Sequence, residues 1–139
     1  MTRLHQATGV VISGRGVLIE GAPGAGKTSL ALALIDRGAV LIGDDGVAIA
    51  VSGGRLLASP PPATTGLIEV RNVGIITRPC AQLVAIALVL RLDRDAPRHI
   101  EAAETCTIAG CTLPLIRLYP DSNVLALRAE LALGHHGIG

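Results

Sequence analysis

A strand, a glycine-rich loop and a helix follow one another in residues 16–45, which read GVLIEGAPGAGKTSLALALIDRGAVLIGDD. Residues 21–28, GAPGAGKT, match the Walker A pattern GxxxxGK[ST]. They also have the context that this pattern requires, because an apolar strand precedes them and strong helix formers follow. Gly24 and Gly26 allow backbone angles that a Cβ would forbid, so consecutive N–H groups can turn inward around an anion. The loop therefore predicts a phosphate-binding site.

The two residues that end the loop have separate functions in this pattern. Lys27 is expected to reach the β- and γ-phosphates of ATP, and the Thr28 hydroxyl is expected to ligate Mg²⁺. Lys27 is also the only lysine, against eleven arginines, which suggests a site that needs a compact ammonium. The alternative is a glycine-rich turn that matches by chance. The predicted nucleotide-binding residues are Gly21, Ala22, Pro23, Gly24, Ala25, Gly26, Lys27 and Thr28.

Composition excludes several classes of protein. Half of the 139 residues are apolar and 17% are charged, which excludes disorder of the whole chain. The formal charge of +1 and a single aromatic residue, Tyr119, argue against a nucleic-acid partner, since neither a basic surface nor a stacking platform is available. The longest apolar run, residues 83–90, is far shorter than the roughly 20 residues that a membrane span needs.

The three cysteines, Cys80, Cys106 and Cys111, form neither a disulfide framework nor a zinc motif. Free thiols predict a reducing compartment. Because the first residues also lack the features of a signal peptide, we expect a cytoplasmic protein.

The rest of the chain predicts one strand-rich α/β domain over residues 1–139 with only two helices. The first helix is expected at 27–37, with Gly38 as its left-handed stop. The second is expected at about 123–133, capped by Asp121 or Ser122 and ended by Gly134, with a flexible tail at about 134–139. Strands are predicted at 9–13, 16–20, 39–43, 47–51, 55–59, 67–70, 83–91, 106–109 and 113–118.

Two adjacent carboxylates, Asp44 and Asp45, end the strand that follows the first helix. In one interpretation they are a Walker B-like pair that holds Mg²⁺ through water. In the other, one of them is a base for a hydroxyl nucleophile near the γ-phosphate. Neighbours on a strand point to opposite faces, so the two are not expected to share one role. The spacing leaves both interpretations open.

Residues 14–47, together with LHQATGVVISG at 4–14 and GLIEVRNVGI at 66–75, resemble the catalytic domain of HPr kinase/phosphorylase. This bacterial enzyme phosphorylates a serine of the phosphocarrier protein HPr with ATP, and it removes that phosphate by phosphorolysis. The resemblance implies a Walker A domain akin to phosphoenolpyruvate carboxykinase, and a homo-oligomer, since members of the family form hexamers.

The resemblance also implies roles for individual residues. His5 matches the catalytic histidine, Asp45 the residue that accepts the serine proton, and Glu69 a second Mg²⁺ ligand beside Thr28. Arg98 is the best match for the catalytic arginine. From the residues themselves, Glu69 and Arg71 lie two apart on a predicted strand and so are expected to share a face.

The chain departs from the family pattern in three places. Gln6 replaces the glycine that usually follows the histidine, and we expect a catalytic domain alone, without the family's N-terminal regulatory domain, as in short members. Residues 114–121, PLIRLYPD, lack the Gly-Arg-Asn of the segment tied to phosphorolysis, so the kinase direction is the better-supported one. A small-molecule kinase and a nucleotide-binding sensor without catalysis are the alternative functions.

Overall fold

The computed structural model describes residues 2–139, within which eleven strands and two helices are found. Helix α1 is Lys27–Asp36 and helix α2 is Leu125–His136, and a single 3-10 turn lies at Pro62–Thr64. The strands are β1 Arg3–His5, β2 Thr8–Ile12, β3 Arg15–Glu20, β4 Val40–Gly43, β5 Val47–Ser52, β6 Arg55–Ser59, β7 Leu67–Val70, β8 Gly74–Thr77, β9 Val84–Leu92, β10 Glu104–Ile108 and β11 Cys111–Leu118.

Nine of these strands form one sheet, in which β9 is the central element. Its first residues pair with β6, whereas the rest pairs in parallel with β3 and with β11. From β9 the order continues through β3 and β2 to β4 on one side, and through β6 and β5 to β1 on another. Strand β10 pairs with β11. A separate hairpin is formed by β7 and β8.

The central strands are buried because both of their faces carry aliphatic side chains. Val17 and Ile19 of β3 pack into a core with both helices, whereas Leu18 between them packs into a second core on the opposite face. In β9, Leu88 and Leu90 also belong to the core that the helices cover. Burial on two faces explains the continuous apolar runs in these strands.

The structure confirms the strand-rich domain with two helices. All nine predicted strands exist, and the two-residue turns at Ser13–Gly14 and Gly53–Gly54 connect β2 to β3 and β5 to β6. Two short strands, β1 and β8, were not expected from the sequence. Both are short exposed strands with no buried residue, so no alternation of apolar and polar positions marks them.

The predicted boundaries of α2 are wrong. Asp121 accepts a hydrogen bond from Arg94, and Ser122 Oγ accepts one from the N–H of Val124, so neither caps the helix. At the other end the helix continues through Gly134 to His136, and Ile138 donates its N–H to Ala87 of β9. The tail expected to be flexible is thus hydrogen-bonded to the sheet.

Among residues 2–139, no helix has the length and apolar character that a membrane-spanning helix requires.

Candidate active site

The carboxyl ends of three strands open into a cavity of about 1370 Å³. Strands β3, β4 and β9 run in the same direction, and ligands in such sheets bind beyond this edge. The glycine-rich loop and the start of α1 form one side of the cavity, and the hairpin of β7 and β8 contributes another. Every residue of the predicted loop except Ala25 lines it.

The loop leaves its amide groups available to an anion. Gly24 has φ 79° and Gly26 has φ 104°, both in the left-handed region that favours glycine. Helix α1 begins at Lys27 without a side-chain cap, so its first N–H groups keep their capacity for phosphate. Lys27 Nζ donates to the carbonyl oxygens of Gly21 at 2.7 Å and Ala22 at 3.3 Å, which holds the ammonium at the edge of the loop.

A second feature joins the loop to the hairpin through Asp44. Thr28 Oγ1 donates to Asp44 Oδ1 at 2.7 Å, and the N–H of Glu69 donates to Asp44 Oδ2 at 3.0 Å. The hydroxyl and two carboxylates are the hard oxygen groups that Mg²⁺ prefers, and Mg²⁺ usually takes only one or two carboxylates together with substrate phosphates. This donor set fits Mg²⁺, although residues 2–139 hold no cluster of three His, Cys, Asp or Glu residues suited to a metal.

Asp45 lies beside Asp44 but is held differently. It adopts φ 59°, and its N–H donates to Thr8 Oγ1, 3.2 Å away, on a side chain that is fully buried. Both aspartates follow the end of β4 and both line the cavity, so the alternation expected for strand residues does not apply to them. A side chain on Gly43, just before them, would clash with the carbonyl oxygen of Gly46, and this close approach explains the glycine.

Glu69 and Arg71 also line the cavity, but not as two residues of one strand. Strand β7 ends at Val70, and Arg71 belongs to the turn that leads into β8. The sequence-based expectation of a shared strand face is therefore wrong. The tight turn, with Asn72 at φ 70°, brings both side chains to the cavity.

The structure places His5 behind an acidic residue rather than in the cavity lining. Its Nε2 atom lies 3.2 Å from Glu20 Oε2, and Arg91 Nη2 donates to the other carboxylate oxygen at 2.8 Å. Glu20 and Arg91 line the cavity. Arg98 lies on an exposed bend outside the cavity lining. Among residues 2–139, the arginines that line the cavity are Arg71 and Arg91.

A further acidic residue, Asp93, lines the cavity next to the loop. Its pKa is held below the ordinary value of an aspartate, first by the N–H of Asp95 and then by Arg117, whose guanidinium also binds Glu104. This carboxylate therefore stays ionised to lower pH than a free one.

Sequence reasoning assigned no role to Glu20, Arg91 or Asp93, and it left that of Asp44 open. One signal could have found them: each is a polar residue at or just beyond the carboxyl end of an apolar strand. Several of their partners lie 16 to 71 positions away in the sequence, so those contacts could not be predicted.

The fold and this cavity define a Walker A-type α/β domain. The chain belongs to the family described as the HPr Serine kinase C-terminal domain, whose model matches residues 1–81. The resemblance seen in the sequence and the predicted fold class are confirmed.

Individual relatives agree with this placement. The chain is 48% identical over 89 residues to HPr kinase/phosphorylase of Clostridium botulinum, which covers 64% of this chain and 28% of that protein. It is 40% identical over 103 residues to the enzyme of Clostridium novyi, covering 69% and 33%. The chain thus spans no more than about a third of these curated relatives.

The structure also matches one that was solved for the Hpr(Ser) kinase/phosphatase from Coxiella burnetii. The TM-score is 0.84 at 29% identity, and the match covers 96% of this chain and 90% of that one. The likeness therefore extends past residue 81 and includes the C-terminal strands and α2.

Proposed function

We propose that the chain is an ATP-dependent protein kinase that phosphorylates a serine of the phosphocarrier protein HPr or a related protein. Three observations support this proposal: membership of the family, the likeness to the Coxiella burnetii structure, and a cavity that combines the Walker A loop with paired aspartates. The observation that carries most weight is the link from Thr28 through Asp44 to Glu69. It brings the Thr28 hydroxyl and the Asp44 carboxylate together, with the backbone of Glu69 beside them, in the cavity where the loop would hold the phosphates.

In the proposed reaction, the loop amides and Lys27 bind the β- and γ-phosphates. Thr28, Asp44 and Glu69 would hold Mg²⁺, directly or through water, and the bound ion supplies charge neutralisation and polarisation of the phosphoryl group. When the phosphates enter, Lys27 Nζ exchanges the carbonyl oxygens of Gly21 and Ala22 for phosphate oxygens.

Asp45 is the proposed base. Its carboxylate takes the proton from the serine hydroxyl as the serine oxygen forms a bond to the γ-phosphorus. The bond from that phosphorus to the β,γ-bridging oxygen breaks, and ADP leaves. His5 and an arginine are proposed to stabilise the charge of the transferred group; for the arginine, the family pattern favours Arg98, whereas the cavity itself contains Arg71 and Arg91.

The reverse reaction, phosphorolysis, is a separate proposal with weaker support. Residues 114–121 lie partly in β11, and they lack the Gly-Arg-Asn of the family segment. Incubation of serine-phosphorylated acceptor with inorganic phosphate and Mg²⁺ tests it by release of pyrophosphate.

The direct test of the kinase is incubation with γ-labelled ATP and the phosphocarrier proteins of the host, followed by mapping of the labelled residue. Label on a serine of the phosphocarrier is the expected result. Turnover of a metabolite in the absence of any protein acceptor would instead support a small-molecule kinase. Binding of ATP without transfer to either class would support a sensor.

Asp45→Asn separates chemistry from binding in the same assay. Transfer is expected to fall by about 10²–10⁴-fold, because the amide cannot take the proton, while ATP still binds. Asp36→Asn, at the end of α1 and outside the cavity lining, is the matched control. Phosphorylation by Asp45→Asn at the parental rate would refute the assignment of the base.

A further inference from the structure

Three side chains from three strands meet at one carboxylate beside the phosphate loop. We call His5, Glu20 and Arg91 the Glu20 cluster. Glu20 Oε2 lies 3.2 Å from His5 Nε2, and Glu20 Oε1 accepts a hydrogen bond of 2.8 Å from Arg91 Nη2. The register of β3 and β9 places Glu20 directly opposite Arg91. Glu20 is the least exposed of the three, at 17% of its side chain.

The carboxylate determines which proton the histidine carries. An ionised carboxylate can only accept hydrogen bonds, so the ring must donate through Nε2–H. The other ring nitrogen, Nδ1, is then left to accept a hydrogen bond. Glu20 thus fixes both the orientation and the tautomer of His5.

Arg91 has N–H groups that Glu20 does not use. Glu20 uses one N–H group of the guanidinium, and within residues 2–139 the Nε and Nη1 atoms have no hydrogen-bond partner. Arg91 also lines the same cavity as Gly24, Gly26 and Lys27. A guanidinium with free N–H groups in a phosphate-binding cavity suits the oxygens of a phosphoryl group.

Pairing also removes an electrostatic problem. Glu20 directly precedes Gly21, the first residue of the loop, and an unpaired carboxylate there would repel a polyphosphate. Because Arg91 neutralises it, the pair as a whole adds no net negative charge to the cavity. The carboxylate is therefore tolerated here as an orienting group.

We propose that Arg91 binds the terminal phosphate of the nucleotide and that Glu20 is the positioning residue for both Arg91 and His5. The inference rests on the proposed function, since it refers to the same cavity and the same nucleotide. It assigns to Arg91 the phosphate contact for which the family pattern favours Arg98.

The test compares the affinities for ATP and ADP, measured by calorimetry with Mg²⁺ present. Arg91→Gln is expected to weaken ATP binding by about tenfold, the loss typical of one charge-assisted hydrogen bond, and to leave ADP binding within about threefold. Glu20→Gln is expected to weaken ATP binding by less, because its amide oxygen still accepts from Arg91. The double variant should bind ATP no more weakly than Arg91→Gln, because Glu20→Gln also removes the carboxylate that Arg91 no longer neutralises.

Arg128→Gln is the matched control, because Arg128 is exposed on α2 and outside the cavity lining. It should bind both nucleotides as the parent does. A purely structural role of Arg91 predicts equal losses for ATP and ADP, or no loss of either, and each of these results would overturn the inference. So would a parent protein that does not distinguish ATP from ADP.

The two proposals fail in different ways. If the preference for ATP depends on Arg91 but no serine is labelled, the proposed kinase function is refuted and the phosphate contact is retained. A serine kinase in which Arg91→Gln keeps the parental preference for ATP refutes the phosphate contact alone.

Discussion

At the scale of single residues, two adjacent aspartates have different surroundings because their backbones differ. Asp44 uses both carboxylate oxygens, one for the Thr28 hydroxyl and one for the N–H of Glu69. Asp45 has its backbone in the left-handed region and donates its N–H to the hydroxyl of buried Thr8. The side chain of Asp45 takes no part in this bond and is exposed to the cavity. The sequence showed the pair of carboxylates, but the partners that distinguish them lie 16, 25 and 37 positions away.

Thr8 should matter for stability more than its small size suggests. Thr8→Val keeps the shape but leaves the N–H of Asp45 without its acceptor, which is expected to cost about 1–3 kcal/mol of unfolding free energy. Denaturant unfolding followed by circular dichroism measures the change. Thr8→Ser, which keeps the hydroxyl, is the control and should lose less. Equal losses in the two variants would show that packing of the methyl group, and not the hydrogen bond, stabilises the turn.

The only lysine allows a direct test of the loop. Besides the N-terminus, Lys27 Nζ is the single primary amine of the chain. An amine-reactive label should modify it in the free protein, and Mg-ATP should protect it because phosphate oxygens replace its carbonyl partners. Peptide mapping by mass spectrometry reads the result, with adenosine as the control that lacks phosphates. Unchanged labelling at saturating Mg-ATP would contradict the assignment of the loop.

At the scale of elements, the sequence predicted what local patterns specify and failed where an element depends on distant partners. The apolar runs of β3, β4 and β9 and the Walker A loop carry their own signals, so these elements and the position of α1 were predicted. Strand β1 exists because it pairs with β5, more than 40 residues away. Helix α2 passes through Gly134 because its C-terminal turn packs on the sheet, where Arg15 also donates to the carbonyl oxygen of Leu133.

The two helices are connected by a bidentate ion pair whose effect should depend on pH. Arg37 donates to both oxygens of Glu130, at 2.9 and 2.8 Å, which lowers the pKa of that carboxyl. A carboxyl group whose pKa is lower in the folded than in the unfolded protein stabilises the fold at pH values above its unfolded-state pKa. This contribution is lost as the pH falls through the folded-state pKa. The parent should therefore be slightly more stable than Glu130→Gln at neutral pH.

That advantage should disappear in acid and shrink in high salt, because the pair is near the surface. Thermal unfolding of the parent and of Glu130→Gln across pH 7 to 3 measures it. Asp121→Asn is a useful comparison, since Asp121 forms a more exposed pair with Arg94. A difference between the parent and Glu130→Gln that stays constant with pH would contradict the ionic origin.

At the scale of the whole molecule, the parallel strands at the centre of the sheet assemble the site. Glu20 and Arg91 lie at the ends of β3 and β9, and Asp44 directly follows β4; all three line one cavity because those strands end at the same edge of the sheet. The family resemblance assigned roles to His5, Asp45 and Glu69 because they lie in recognisable local motifs, and these roles stay predictions; Asp45 and Glu69 line the cavity, whereas His5 does not. It did not point to Arg91, whose pairing with Glu20 depends on the register between β3 and β9.

The outer face of α2 predicts how copies of the chain associate. Val124, Leu127 and Leu131 recur at spacings of three and four residues and are 45%, 43% and 62% exposed, which makes an apolar stripe on a helix whose other face is buried. We expect an oligomer of this chain to cover the stripe. Leu131→Glu should then shift the molar mass measured by light scattering towards that of a monomer, without loss of helix content. Val51→Glu, at the exposed C-terminal end of β5, is the control. A shift with this variant alone would place the interface on the sheet, and a parent that is already monomeric would refute the association.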